Sequence, residues 1–392
     1  MSSLVNYLPE VVAEFYPETA TEVASAIHHA NQNTWAIAPY GNGSKLDWGG
    51  EIKSSLPLCA ISTAKLNRLI DHAAGDLTVT VETGMTYGEL QDILAQQGQF
   101  LAIDPPLAAA ATIGGILATG CSGAWRHRYL SVRDMCLGLS MVRADGEIVK
   151  AGGRVVKNVA GYDLMKLLTG SYGSLGIITQ VTLRVYPRPP RAQTLIVSGS
   201  LAKVASLHQT VLRAALTPTR LEPVAGSWLE SLAIQSEAAL MVEFSGIPES
   251  VQLQAQTLGD LAGELAVLQV QPTIWQDISD WIWQPGQAIA KIGLLPSQFV
   301  PTWTKIHAVL AGSPTTLQGG WLSISDQVTA VQIQQIRQSL TEQGGWLSLL
   351  RSPSRVKQEL GDVWGYGTDT ARIMALLKQK FDPEHRLNPG RV

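Results

Sequence analysis

The chain has 392 residues, 45% hydrophobic and only 16% charged, which is apolar mass enough for two or three cored domains and excludes a disordered chain. Its formal net charge of −3 argues against a general nucleic-acid binder, which needs a basic face. Cys59, Cys121 and Cys136 form no CxxC pair. This argues against a disulfide framework, a zinc site or a self-contained iron–sulfur cluster, and points to a reduced, cytoplasmic setting. The first ten residues carry neither a basic nor an apolar leader pattern, and no apolar run reaches the ~18 residues of a membrane span.

In chain order, Glu18 to Gln32 places Val23, Ile27 and Ala30 at helical spacing, with Thr21 as the expected cap. Trp35 to Ala38 reads as a short strand, and Gly41 to Gly50 as a polar, glycine-rich loop. The β-branched run Leu77 to Val81 predicts a strand, and Thr86 caps a helix from Tyr87 to Gln97 that stops at Gly98. Leu137 to Arg143 and the run from Ile148 form a hairpin around Ala144-Asp145-Gly146; a short helix over Asp163 to Leu168 and a strand over Ile177 to Val185 follow. The cluster Pro187, Pro189, Pro190 marks a domain boundary. Beyond it, strands are expected at Leu240 to Phe244 and Ala288 to Leu295, and helices at Val328 to Gln343 and Thr370 to Phe381. The last carries Ile373, Leu376, Leu377 and Phe381 on one stripe. The resulting division is 1–188, 189–360 and a returning segment 361–392.

Four elements could carry chemistry. Gly41, Asn42, Gly43, Ser44 and Lys45 follow a strand, and glycines there let successive N–H groups line a phosphate-binding concavity; an ordinary surface turn fits the same residues. The spacing is neither GxGxxG nor a P-loop. The second element is Ile103-Asp104-Pro105-Pro106 followed by the small-residue run Ala111 to Gly123. It suits a backbone lying flat against a ligand, or close helix packing. The third is KNVAGYDL, from Lys157, followed by GSYGSLGIIT, from Gly170; the fourth is the closing run FDPEHRLNPGR, from Phe381.

Taken together, these elements resemble the FAD-binding domain of the vanillyl-alcohol oxidase or PCMH type. The runs VVKNVAGYDLMKLLTGSYGSLGIIT and KFDPEHRLNPGRV resemble the E-subunit family of glycolate oxidase (glycolate dehydrogenase). The resemblance implies an α+β fold: two α+β subdomains clasping FAD, plus a cap domain with an antiparallel sheet. It implies that Gly41 to Lys45 hold the pyrophosphate through backbone N–H groups. Pro105, Thr112, Gly114, Gly115, Thr119, Ser122 and Gly123 would line pyrophosphate, ribityl and flavin. Gly173 and Ile178 would meet the adenine side, and Asn388 the flavin end. Relatives with covalent flavin carry a histidine at the first loop; none stands between Gly41 and Gly50, so non-covalent FAD is expected.

Oxidising a 2-hydroxy acid needs a cation for the carboxylate, a base for the hydroxyl proton and a hydride acceptor. Lys291, Arg351 and His385 are the candidates for the first two, against solvated or ion-paired roles for the same residues. Lys157 and Arg126 adjoin the FAD elements and could balance phosphate charge or meet a partner. With no cysteine cluster, electrons must leave through another chain. The expectation is therefore a FAD-binding subunit of a glycolate dehydrogenase complex, beside a second flavoprotein subunit and an iron–sulfur subunit. It would be cytoplasmic, with no direct membrane insertion and membrane attachment only through a partner. The alternatives are a self-sufficient dehydrogenase of another 2-hydroxy acid and a structural subunit without cofactor. Eight of eleven tryptophans lie beyond residue 225, which fits either a protein interface or a Trp-rich core.

Overall fold

The computed structural model describes residues 8–153, 162–310 and 313–392, so the expected contribution of Lys157 lies outside the described residues. By contact density the chain divides into two units, one of residues 1–123, 130–188 and 366–392, the other of 124–129 and 189–365.

The first unit opens with β1 (Val11–Phe15), α1 (Ala20–Gln32), β2 (Ala36–Tyr40) and β3 (Leu58–Ser62), the strands forming a parallel sheet in the order β1-β3-β2. The α1 cap is Thr19 rather than Thr21: the Glu22 amide donates to Thr19 Oγ1 at 3.1 Å. Val23, Ile27 and Ala30 are fully buried against Ile37, Cys59 and Ile61, so the helical spacing delivers the core it implies. Next come β4 (Leu69–Ala73), β5 (Thr78–Glu82), α2 (Tyr87–Ala95), β6 (Gln99–Phe100) and α3 (Ile113–Thr119). A capping box between Thr86 and Glu89 starts α2, which ends two residues before the expected Gln97. The chain then enters the second unit for α4 (Arg126–Tyr129) and returns for α5 (Val132–Met135), β7 (Cys136–Val142), β8 (Ile148–Gly152), α6 (Leu164–Leu168), β9 (Ile177–Arg184) and β10 (Tyr186–Pro187). The second sheet is antiparallel, in the order β4-β5-β9-β7-β8, and β10 pairs with β6.

The second unit is built on one antiparallel sheet. Its strands are β11 (Arg191–Gly199), β12 (Arg220–Gly226), β13 (Ala238–Gly246), β14 (Ala266–Val270), β15 (Gln287–Gly293), β16 (Thr315–Gln318), β17 (Trp321–Ser325) and β18 (Trp346–Arg351). They run in the order β14-β11-β13-β12-β16-β17-β15-β18. The helices are α7 (Leu201–Arg213), α8 (Ser227–Ser231), α9 (Pro248–Ala262), α10 (Ile274–Trp283), α11 (Phe299–Val309), α12 (Ala330–Glu342) and α13 (Ser354–Leu360). Only two of these strands are legible as such: most of the others are buried on successive residues and lack clean alternation, β12 contains Pro223, and β14 is exposed along most of its length. The tryptophans mostly fill this unit's core: Trp228, Trp275, Trp283, Trp303 and Trp364 are buried, and Trp346 is the exposed exception at 44%. A buried ion pair sits in the sheet. Arg220 donates to Glu243 at 3.2 Å, with its guanidinium 4.1 Å from the Trp125 ring and 4.9 Å from the Trp275 ring.

The chain closes in the first unit with α14 (Thr368–Phe381). Its expected apolar stripe splits: Ile373 and Leu376 are exposed, while Leu377 and Phe381 are half-buried. Helical spacing alone does not say how many turns find a surface to cover.

His208 on α7 is buried, with no partner at Nδ1 among the described residues. Burial, with a smaller repulsion from His127, pushes it down to about 4. Below pH 6.5 the unfolded chain takes up a proton that the folded chain refuses, so stability present above 6.5 is lost as pH falls toward 4. This group is expected to remove up to about 3 kcal/mol across that window. Denaturant unfolding at pH 7 and pH 4.5 checks this: His208→Leu should flatten the difference.

Candidate cofactor site

Within the first unit an open cleft of about 730 Å³, its mouth included, lies between the β2 end, the start of α3, the 172–178 turn and the closing segment. Gly41 to Lys45 form one wall, Thr112, Gly114, Gly115 and Thr119 the next, and Gly173, Ile178 and Asn388 a third. Pro105, Ser122 and Gly123 pack elsewhere. Asp104 N donates to Ser122 O at 3.1 Å, Val132 N donates to Ser122 Oγ at 2.9 Å, and a Cβ on Gly123 would meet Asp104 O at 2.0 Å. Ser122 and Gly123 thus pack against Asp104 and Val132, and neither they nor the buried Pro105 line this cleft.

The first loop is held in an unusual state. Among the described residues, the backbone N–H groups of Gly41, Asn42, Gly43, Ser44 and Lys45 meet no acceptor. Its carbonyls are better supplied: Leu46 N donates to Gly43 O, Trp48 N to Lys45 O and Ser62 Oγ to Gly41 O. Gly41 has no room for a side chain, since a Cβ would lie 2.2 Å from Thr112 Oγ1. That hydroxyl is itself engaged, accepting from Gly115 N to cap α3. Gly173 takes φ +69°, and a Cβ there would press on Pro39 at 2.9 Å and Asn388 at 3.1 Å.

Two cations are buried in this cleft. Lys45 is 8% exposed; its ammonium donates to Ser44 Oγ at 3.4 Å and lies 5.6 Å from the Trp48 ring. No carboxylate among the described residues comes within ion-pair distance of it. Burial holds Lys45 below the ordinary lysine range. Arg391 is 5% exposed and donates to Gly50 O at 3.1 Å and to Lys45 O at 3.4 Å. Burial pushes it down to about 10. Desolvated cations beside unfilled backbone donors make a site for a large anion. The residues therefore fit a diphosphate-bearing cofactor.

Residues 11–152 match the FAD binding domain family. This stretch is an FAD-binding domain, and FAD is its cofactor. The chain is 30% identical, over 264 residues, to the cytochrome-linked mitochondrial D-lactate dehydrogenase of Arabidopsis thaliana, covering 66% of this chain and 46% of that one. It is 33% identical, over 199 residues, to the glycolate oxidase subunit GlcE of Escherichia coli, covering 50% of this chain and 53% of that one. The match thus spans about half the length of these curated relatives. Among solved structures, p-cresol methylhydroxylase with substrate bound superposes with a TM-score of 0.73 at 16% identity, over 99% of this chain and 92% of that one. That likeness shows a shared fold.

The other expected residues are placed as follows. Lys291, on β15, is half-buried with Nζ 5.6 Å from the Trp321 ring. Arg351 ends β18 and donates to the carbonyls of Gln287, Trp283 and Gln284 at 3.2, 3.1 and 2.6 Å, closing the end of α10. His385 is exposed and lies 2.9 Å from Gln379 Oε1. Arg126 is exposed on α4. Arg391 and Tyr172 line the cleft without having been singled out, although both lie inside the motifs that carried the resemblance.

Gly41→Ala is expected to displace Thr112 and close the first loop. Titration of flavin-free protein with FAD should give at least about tenfold weaker binding, on the scale of one lost charge-assisted hydrogen bond. Because Thr112 also caps α3, the flavin-free form should be destabilised as well, by about 1 kcal/mol on the scale of a lost helix cap.

Proposed function

We propose that this chain is the FAD-binding subunit of a glycolate dehydrogenase complex. The complex would oxidise glycolate to glyoxylate and hand electrons to a partner iron–sulfur subunit, beside a second flavoprotein subunit. The observation that carries this is the match to the GlcE subunit together with the two diagnostic runs. The three cysteines are widely spaced and buried, which supports an electron carrier on another chain. No helix among the described residues is long and apolar enough to cross a membrane, and attachment through a partner is part of the proposal.

FAD, when bound non-covalently, supplies the acceptor for the substrate's hydride. In this reading Gly41 to Lys45 hold the diphosphate, Thr112, Gly114, Gly115 and Thr119 the wall beside it, Gly173 and Ile178 the adenine side, and Asn388 the flavin end. Lys291 is the first candidate to hold a substrate carboxylate, because the Arg351 guanidinium already donates to three carbonyls. His385 is the candidate for moving the hydroxyl proton.

A second reading is a self-sufficient dehydrogenase of another 2-hydroxy acid. It is favoured by relatives named as D-lactate and D-2-hydroxyglutarate dehydrogenases. The visible spectrum of the purified chain separates the two under anaerobic glycolate or D-lactate. Oxidised-flavin bands that persist with either acid, and bleach with glycolate once the partner subunits are added, support the subunit reading. Bleaching of the single chain by D-lactate would replace it with the second.

A further inference from the structure

The last residues of the chain cross the first loop of the cleft at close range. Ile37 N donates to Arg386 O and Asn388 N to Ile37 O, both at 2.8 Å, so this segment extends the edge of the parallel sheet. Upstream, Lys378 Nζ donates to Asp382 Oδ2, Ser174 O and Leu387 O at 2.6, 2.8 and 2.6 Å, fixing the turn from α14. Downstream, a Cβ on Gly50 would lie 2.5 Å from Gly390 O and 2.8 Å from Arg391 O. The crossing is therefore backbone against backbone. From it the Arg391 side chain reaches into the protein and donates to the carbonyls of Lys45 and Gly50, the two ends of the second half of the loop.

A five-residue loop with no acceptor for its N–H groups does not hold itself open, because flexible backbone turns back to satisfy its own donors. Here three carbonyls of the 41–50 loop accept from outside it, Gly41 O from Ser62 Oγ and Lys45 O and Gly50 O from the Arg391 guanidinium. We propose that Arg391 is a positioning residue for the cofactor's diphosphate: by holding the Lys45 and Gly50 carbonyls it keeps the Gly41 to Lys45 amides available to the phosphate oxygens. The inference rests on FAD as the occupant of this cleft. Lys45 supplies charge, and Arg391 supplies loop geometry. A guanidinium suits that task because its donors are fixed in a planar fork, whereas an ammonium offers no such fork to two carbonyls at once.

The test is FAD titration of flavin-free full-length protein, followed by fluorescence quenching, with circular dichroism and the thermal midpoint of the flavin-free form measured alongside. Arg391→Gln and Arg391→Lys should both raise the FAD Kd about tenfold or more while the flavin-free fold is kept. Gly50→Ala, which pushes the crossing segment away without touching the guanidinium, should do the same. Arg391→Lys or Gly50→Ala binding FAD within about twofold of wild type would overturn the inference, the former by showing that charge alone suffices. Loss of FAD that only tracks an equal loss of the flavin-free fold would also overturn it, assigning Arg391 to stability. A wild-type chain that takes up no FAD would remove the reading beneath it, an outcome distinct from either.

Discussion

An ammonium group stripped of water costs several kcal/mol unless charge or dipoles meet it. Lys45 is such a group. It is buried at the wall of a cleft, helped by a weak bond to Ser44, the face of Trp48 and the charge of Asp47 beyond ion-pair distance, which together do not offset its burial. The five amides that precede and include its own add partial positive charge in the same direction of need. In the proposed reading the cofactor brings the missing negative charge. Much of the first unit can be understood as scaffolding that prevents the loop from relieving the imbalance internally.

That scaffolding is drawn from distant parts of the chain. The parallel sheet presents the loop at the end of β2, and Thr112 fills the space beside Gly41 that a side chain would need. The turn at Tyr172 and Gly173 is pinned by Asn388, whose Nδ2 donates to Tyr172 O at 2.6 Å. Arg391 closes the other end. Because the partners lie hundreds of residues apart in sequence, the site forms only when the unit's long-range contacts are in place. The second unit solves a different problem. Its broad antiparallel sheet buries most of the tryptophans, and the Arg220–Glu243 pair is flanked by indoles that shield it from water.

The glycine-rich loops that line the cleft were legible in the sequence because close backbone approach demands glycine, and glycine is visible one residue at a time. Thr86 was legible for a similar reason, since a capping box is local. Thr19 displaced Thr21 as the α1 cap because two threonines flank the same turn and only the backbone trajectory chooses between them. The Ile373 and Leu376 stripe kept its helical period but found no surface, which periodicity cannot reveal. Arg351 and Arg391 illustrate the larger gap. Each donates to carbonyls more than sixty residues away, and no local pattern marks a side chain whose task is to hold distant backbone. Composition likewise could not divide the tryptophans between core and interface.

The central claim is that the buried Lys45 ammonium waits for the cofactor's anion, and proton linkage tests it most directly. Burial lowers Lys45 in the flavin-free protein, and a bound diphosphate would raise it again. On the alkaline side, below the ordinary lysine value of about 10.4, binding should therefore take up protons, and affinity should fall as pH rises. Calorimetric titration of FAD into flavin-free protein, in two buffers of different ionisation enthalpy, measures that uptake. Net proton uptake in wild type that disappears in Lys45→Met is the predicted result. No uptake in wild type, or the same uptake in Lys45→Met, would contradict the account.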